Sequence, residues 1–183
     1  MEGWQRELGV SVLIFDYPGY SRSGGKPTEA GCYAAAEAAY QWLTQVQGVR
    51  VERVLIYGRS LGTAVAVDLA SRQPHRALVL VSPFTSLPDV VDRRYRLLPA
   101  QLLMHNRFAS ITKVGECKGP LLVVHGTADQ QVPLALGKAL VAAAPEPKRF
   151  LAIPGAGHGD CVKPAMFAAL SVFLLEAERT PLP

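Results

Sequence analysis

The sequence is poor in cysteine, tryptophan and methionine, with three, two and three among its 183 residues. Cys32, Cys117 and Cys161 are odd in number, widely spaced and without metal-ligand spacing. They argue against a disulfide framework and for free thiols in a reducing setting. No apolar run reaches the roughly 18 to 20 residues that a membrane helix requires. The start, Met1-Glu2-Gly3-Trp4, has neither the basic beginning nor the apolar core of a signal peptide. Charge of one sign is not concentrated either: 19 Lys+Arg against 15 Asp+Glu leave +4, and the basic residues are dispersed. Their tightest cluster, Arg93, Arg94 and Arg96, reads as a solvated helix face. No basic stripe is interleaved with aromatics and no nucleic-acid motif occurs, so no nucleic-acid partner is expected. Internal repeats and low-complexity linkers are lacking too.

What is present is apolar. The chain is 49% hydrophobic and 19% charged, with a mean hydropathy of +0.16. That excludes a disordered or collagen-like chain. The length suits one domain, 1–183, burying roughly 70% of its unfolded surface. Five short runs stand out: Val10 to Phe15, Val54 to Tyr57, Ala77 to Val81, Leu121 to Val124 and Phe150 to Ile153. They are nearly continuous rather than alternating, as strands read when both faces of a parallel sheet are covered. Helical stretches separate them: Thr28 to Val46, Ser60 to Ala70, Pro133 to Ala144 and Pro164 to Glu178. Ser60 to Ala70 is apolar almost all round, which predicts a buried helix. Strand alternating with helix predicts an α/β domain with a mainly parallel sheet flanked by helices. Residues 82–120 exceed what a crossover needs. They predict a crossover helix plus a small lid carrying Leu97, Leu98, Leu102, Leu103 and Met104.

In such sheets ligands bind at the carboxyl ends of the strands. After the second run comes Gly58-Arg59-Ser60-Leu61-Gly62, a G-x-S-x-G turn between strand and helix. Such a turn lifts the serine hydroxyl clear of the sheet. It brings strand and helix so close that residues without a side chain are expected two places before and after. After the fourth run comes His125-Gly126-Thr127-Ala128-Asp129, and after the fifth Gly155-Ala156-Gly157-His158. Each residue alone has a plainer reading: Ser60 as a helix N-cap, Asp129 as a turn residue, His158 as a loop histidine. Together, in the order Ser, Asp, His and all at strand ends, they predict a catalytic triad. Ser60 is the nucleophile, His158 the base and Asp129 the orienting acid. Asp160 is expected to cap the last helix, Asp16 to fix the Pro18-Gly19 turn, and Cys161 to be a loop thiol. His125 is expected to be structural.

At these residues the chain resembles the α/β-hydrolase superfamily. Phe15-Asp16-Tyr17-Pro18-Gly19-Tyr20, the Ser60 turn, Ser82-Pro83-Phe84-Thr85-Ser86, the His125 to Asp129 segment and Gly155 to His158 are similar to its small-lid branch. That branch holds serine-aminopeptidase-like hydrolases and the palmitoyl-protein thioesterases of the α/β-hydrolase-domain group. The resemblance implies a serine hydrolase of carboxylic esters or thioesters working through an acyl-enzyme. Alternatives are a peptidase of the aminopeptidase-like type, or a weakly active or inactive remnant acting as a binding module. It implies no cofactor and no metal. The partner is a small-molecule or acylated substrate, with Tyr17, Arg59 and Leu102 as candidate substrate contacts. The superfamily's oxyanion hole uses two backbone N–H groups. Leu61 supplies one, whereas the loop after the third strand has no counterpart here. Val10 to Phe15 matches the superfamily's fourth strand. The expectation is therefore an α/β-hydrolase fold lacking its first three strands, N-terminally truncated and of low activity. Any signal or anchor would lie in the missing segment, which leaves localisation open with the cytoplasm as default. Oligomeric state is open as well.

Overall fold

The computed structural model describes residues 2–95 and 100–178. Arg96, Leu97 and Leu98 lie outside the described residues. The sheet has four strands, β1 (Leu55–Arg59), β2 (Ala77–Val81), β3 (Leu121–Gly126) and β4 (Lys148–Ile153), side by side in chain order. All three pairings are parallel, with Leu55 opposite Ala77, Leu78 opposite Leu121 and Leu121 opposite Lys148. Each strand therefore returns through a crossover, and all four carboxyl ends lie on one rim.

Both faces of the sheet are covered, which explains the continuous apolar runs. Side chains alternate across a strand. Leu78 and Leu80 of β2 enter one core layer, whereas Ala77, Val79 and Val81 enter the other. The first layer is closed by α2 (Glu29–Gln41), α3 (Leu61–Arg72) and α6 (Leu134–Ala143). The second is closed by α7 (Pro164–Glu178), with α1 (Glu2–Leu8) packed beside it. Trp4 of α1 sits edge-on to Phe167 and Tyr57, at 5.4 and 4.6 Å between ring centroids. α3 is buried from Thr63 to Ala70, as its apolar sequence requires. Its one buried charge, Asp68, is paired with Arg72 at 2.7 Å and Lys113 at 2.6 Å, so this carboxylate is not buried unpaired.

α2 begins where Thr28 caps it, its hydroxyl accepting the Gly31 N–H at 3.1 Å. It runs into a π-helical turn, Trp42–Val46. Between β2 and β3 lie α4 (Leu87–Arg94), capped by Ser86, then α5 (Ala100–Leu103) and two 3-10 turns, Ser110–Thr112 and Val114–Glu116. None of the described helices is long and apolar enough to cross a membrane.

Two sequence expectations fail here. Val10 to Phe15 forms no strand. Ile14 is 61% exposed and Leu13 41%, although the run is as apolar as the true strands. An extended segment becomes a strand only when a neighbour takes its backbone hydrogen bonds. β1 is the edge of the described sheet, and no strand among the described residues pairs with its outer side. Asp160 is not the cap of α7, which starts at Pro164. Its carboxylate instead accepts the Gly157 N–H at 3.2 Å and shapes the loop before that helix.

Candidate active site

Ser60 stands on the turn from β1 into α3 with φ 51° and ψ −123°. A non-glycine residue adopts this conformation only when its surroundings over-determine it. Here the Ser60 N–H donates to the Val81 carbonyl at 3.0 Å. Thr63 returns both its N–H, at 2.9 Å, and its hydroxyl, at 2.6 Å, to the Ser60 carbonyl. Tight packing fixes the turn on one side only. A Cβ on Gly58 would lie 2.4 Å from the Gly62 carbonyl oxygen and 2.8 Å from the Ala66 Cβ. A Cβ on Gly62 would meet nothing closer than the Tyr17 hydroxyl at 3.6 Å. The expected need for a bare backbone therefore holds before the serine and not after it.

Asp129 leaves the end of β3 in a loop that its own side chain organises. One carboxylate oxygen accepts the Gln131 and Val132 N–H groups, both at 2.9 Å. The other accepts from His158 Nδ1 at 2.8 Å. His158 Nε2 is 2.9 Å from the Ser60 hydroxyl. Residues 60, 129 and 158, remote in sequence, thus form one hydrogen-bonded line. The Asp129 side chain is fully buried and that of His158 is 11% exposed. An ionised carboxylate only accepts. It holds the imidazole proton on Nδ1 and leaves Nε2 to accept from the serine.

The two loops are laced together. The Thr127 N–H reaches the Ile153 carbonyl at 3.1 Å, the Ala128 N–H reaches the Ala156 carbonyl at 3.0 Å, and the Gly155 N–H reaches the Thr127 hydroxyl at 2.8 Å. Gly126 permits this approach, since a Cβ there would stand 2.3 Å from the Ala156 carbonyl oxygen. His125 is structural, as expected. It is fully buried, its Nε2 donates to the Val132 carbonyl at 2.9 Å, and burial lowers its pKa and keeps it neutral.

Burial by itself would raise the Asp129 pKa. Hydrogen bonds from the Val132 N–H, His158 and the Ser82 hydroxyl outweigh it and hold the carboxyl below the usual range. The ionised form therefore stabilises the fold above the unfolded-state pKa of about 4. That stabilisation is lost as pH falls through the lower folded-state value. Urea midpoints measured from pH 7 down to pH 3 should fall on the acid side, and the fall should be shallower in Asp129→Asn.

Ser82 is the site residue that sequence reasoning missed. It is fully buried, has φ 53°, and its hydroxyl is among the groups that hold the Asp129 carboxyl low. The signal was available: Ser82 is the first residue past β2, on the same rim as the other three. Cys161 is a loop thiol, as expected, and a buried one: it is 1% exposed beneath the histidine loop, its Sγ 3.6 Å from the Gly157 carbonyl. Burial pushes its pKa up, which keeps it from being a thiolate. Asp16 is exposed, and the Pro18-Gly19 turn is closed by backbone hydrogen bonds, Tyr20 N–H to the Tyr17 carbonyl and Gly19 N–H to the Gly24 carbonyl, both 3.0 Å.

The three candidate substrate contacts fall in different places. Tyr17 packs near the start of α3, and burial pushes its pKa up to about 12. Arg59 turns to the His158 carbonyl at 3.4 Å, so it braces the histidine loop. Leu102 is 84% exposed on α5 and is not a wall of the cleft at Leu61. That cleft, of about 380 Å³, is lined among others by Tyr20, Pro27, Cys32, Leu61, Met104 and Phe108. Its volume is at the low end of the roughly 300–1,000 Å³ of small-molecule sites.

A parallel α/β sheet with Ser, Asp and His on its carboxyl rim, the serine on a strained strand-to-helix turn, defines a class of fold before any comparison is made. Residues 2–114 match the model of the alpha/beta hydrolase family. The chain belongs to that family. An uncharacterized protein of Mycobacterium tuberculosis is 47% identical over 153 residues, 84% of this chain and 54% of that protein. The human alpha/beta hydrolase domain-containing protein 17B is 36% identical over 163 residues, 86% of this chain and 54% of that protein. The chain thus spans about half the length of these curated relatives. Among solved structures, Est1E from Butyrivibrio proteoclasticus with ferulic acid bound superposes with a TM-score of 0.71 at 20% identity, covering 90% of this chain and 76% of that one. The esterase domain of a Rhodothermus marinus protein gives 0.66 at 24% identity, covering 97% and 78%. At such identities these likenesses carry the fold alone.

Proposed function

We propose that this chain carries the catalytic centre of a serine hydrolase acting on carboxylic esters or thioesters. The observation that supports it best is the hydrogen-bonded line from Ser60 through His158 to Asp129. In this reading His158 Nε2 takes the Ser60 proton as the oxygen attacks the acyl carbon. Asp129 stabilises the imidazolium that results. The proton then passes to the leaving alcohol or thiol, and the acyl group stays on Ser60. Water, activated by His158, attacks the acyl-enzyme and releases the acid.

Negative charge on the carbonyl oxygen is met by the Leu61 N–H at the first turn of α3. First-turn amides have no partner within a helix, and the positive end of the helix dipole adds to them. The reading assigns this one oxyanion donor. The mostly apolar cleft beside Leu61, walled by the 82–120 connection, favours an acyl arm over a polar one.

The direct test is labelling with a fluorophosphonate probe, which needs the activated serine and no particular substrate. Covalent label on Ser60, absent from Ser60→Ala, is the expected result. A folded chain that stays unlabelled would overturn the hydrolase reading. Parallel assays on aryl esters, acyl thioesters and aminoacyl anilides then separate the bond types, with esters and thioesters expected to turn over and anilides not.

A further inference from the structure

The cleft wall built by residues 104–108 is tied to the start of α2 chiefly through Glu29. Glu29 is the first residue of α2 and is half-buried. Its backbone N–H donates to Asn106 Oδ1 at 2.9 Å. Its Oε2 accepts the Arg107 backbone N–H at 2.6 Å, and its Oε1 accepts the Tyr33 hydroxyl at 2.8 Å. The Arg107 carbonyl in turn accepts the Leu87 N–H at 2.8 Å, which ties the same residue to α4. Phe108, next along, is buried with φ 44°, and its ring stands edge-on to Tyr33 at 5.8 Å between centroids. A bulky residue keeps such a backbone only when neighbours hold it there. The Glu29 contacts are those neighbours' anchor, because hydrogen bonds to an ionised acceptor are about twice as strong as neutral ones. Met104 and Phe108 on this wall line the same cleft as Tyr20, Pro27, Cys32 and Leu61.

We propose that Glu29 is a latch that holds the 104–108 wall in place and thereby sets the affinity of the cleft for an acyl chain. As a statement about substrate, this rests on the acyl-ester reading above. Glu29 touches neither Ser60 nor the reacting carbonyl; it is a positioning residue that acts through the wall. Its loss should therefore raise KM for long acyl substrates more than it lowers kcat, and should leave short esters nearly unaffected.

The test uses the whole chain and a readout independent of turnover. Dodecanoate affinity is measured by displacement of a fluorescent fatty acid, and hydrogen exchange is followed across residues 104–108. Glu29→Ala should weaken dodecanoate about tenfold, the loss of one well-formed interaction, and should speed exchange at the Arg107 amide. Glu29→Gln keeps a carbonyl oxygen for that amide and should lose about threefold or less. Unchanged affinity or unchanged exchange in folded Glu29→Ala overturns the latch, and so does an unsubstituted chain that binds no dodecanoate. If Glu29→Ala does not fold, Tyr33→Phe decides. It removes only the hydroxyl that orients the carboxylate, and wild-type affinity there overturns the latch as well. Fluorophosphonate labelling of Ser60 in the same samples keeps the two claims apart. Labelling intact with an unaffected cleft sinks the latch alone, whereas no labelling of the unsubstituted chain sinks the hydrolase reading.

Discussion

Asp129→Asn is expected to lower ester hydrolysis by about 10⁴-fold while the protein remains folded. The reason is a forced choice of tautomer. In the native site one carboxylate oxygen takes the Gln131 and Val132 N–H groups and the other takes the His158 Nδ1 proton. An asparagine has one oxygen and one NH₂ for these two jobs. The two backbone donors claim the oxygen, which turns the NH₂ toward His158. Nδ1 must then accept, so the ring proton moves to Nε2. A protonated Nε2 cannot take the proton of Ser60, 2.9 Å away. The shape of the site survives and its base is lost. Rates on an aryl ester, with circular dichroism as a control for folding, check this. A drop of less than about tenfold would mean that Asp129 is only a turn residue.

Gly58→Ala is expected to destabilise the chain by about 3 kcal/mol or more, the upper range for overpacking. The added methyl would lie 2.4 Å from one backbone oxygen and 2.8 Å from the Ala66 Cβ. Neither is the movable end of a flexible side chain. Relief requires β1 and α3 to part, and α3 is the buried helix on which the first core layer is built. Gly62→Ala is the internal control. Its Cβ has ordinary room, and alanine is the better helix former by about 1 kcal/mol at interior positions. It should change stability by no more than about 1 kcal/mol in either direction. Urea denaturation of the two variants side by side gives the comparison. For a chain of this size 1 kcal/mol is about 2–4 °C in Tm, so Gly58→Ala should melt about 6–12 °C lower. Equal effects at the two glycines would show that the turn is not held by packing on the strand side.

Much of this fold is legible in the residues alone, for local reasons. β2 and β3 read as continuous apolar runs because both faces of the sheet are covered, and each was bounded to within two residues. α2 declares itself through the spacing of Tyr33, Ala36, Tyr40 and Leu43 by threes and fours, of which Ala36 and Tyr40 are buried. Ser60, Asp129 and His158 each follow a strand, so the rule that chemistry sits at strand ends finds all three. Ser82 obeys the same rule, and its segment Ser82 to Ser86 is among those that carry the resemblance, but a serine after a strand does not by itself announce a role beside the acid.

Val10 to Phe15 shows where such reading stops. Its composition says strand, but a strand is a relation between two backbones, and no run of apolar residues specifies its neighbour. Leu102 fails in the same way: apolar and near the lid in sequence, it is directed to solvent, whereas Met104 two residues on lines the cleft. The expected glycine at position 62 and the expected cap at Asp160 were local rules applied where distant parts of the chain decide.

By itself, the sequence determined the alternation of strand and helix, the strained serine turn and the identity of the three residues on the rim. These depend on periodicity, backbone freedom and short-range hydrogen bonding, all written within a few neighbouring positions. Only the tertiary structure decided that the Asp129 and His158 loops interlock over Gly126, that Ser82 supports the acid, and that Glu29 holds the cleft wall from across the molecule. Those contacts join residues 26 to 78 positions apart. Their distances follow from how the layers pack, a property of the folded whole that no local pattern encodes.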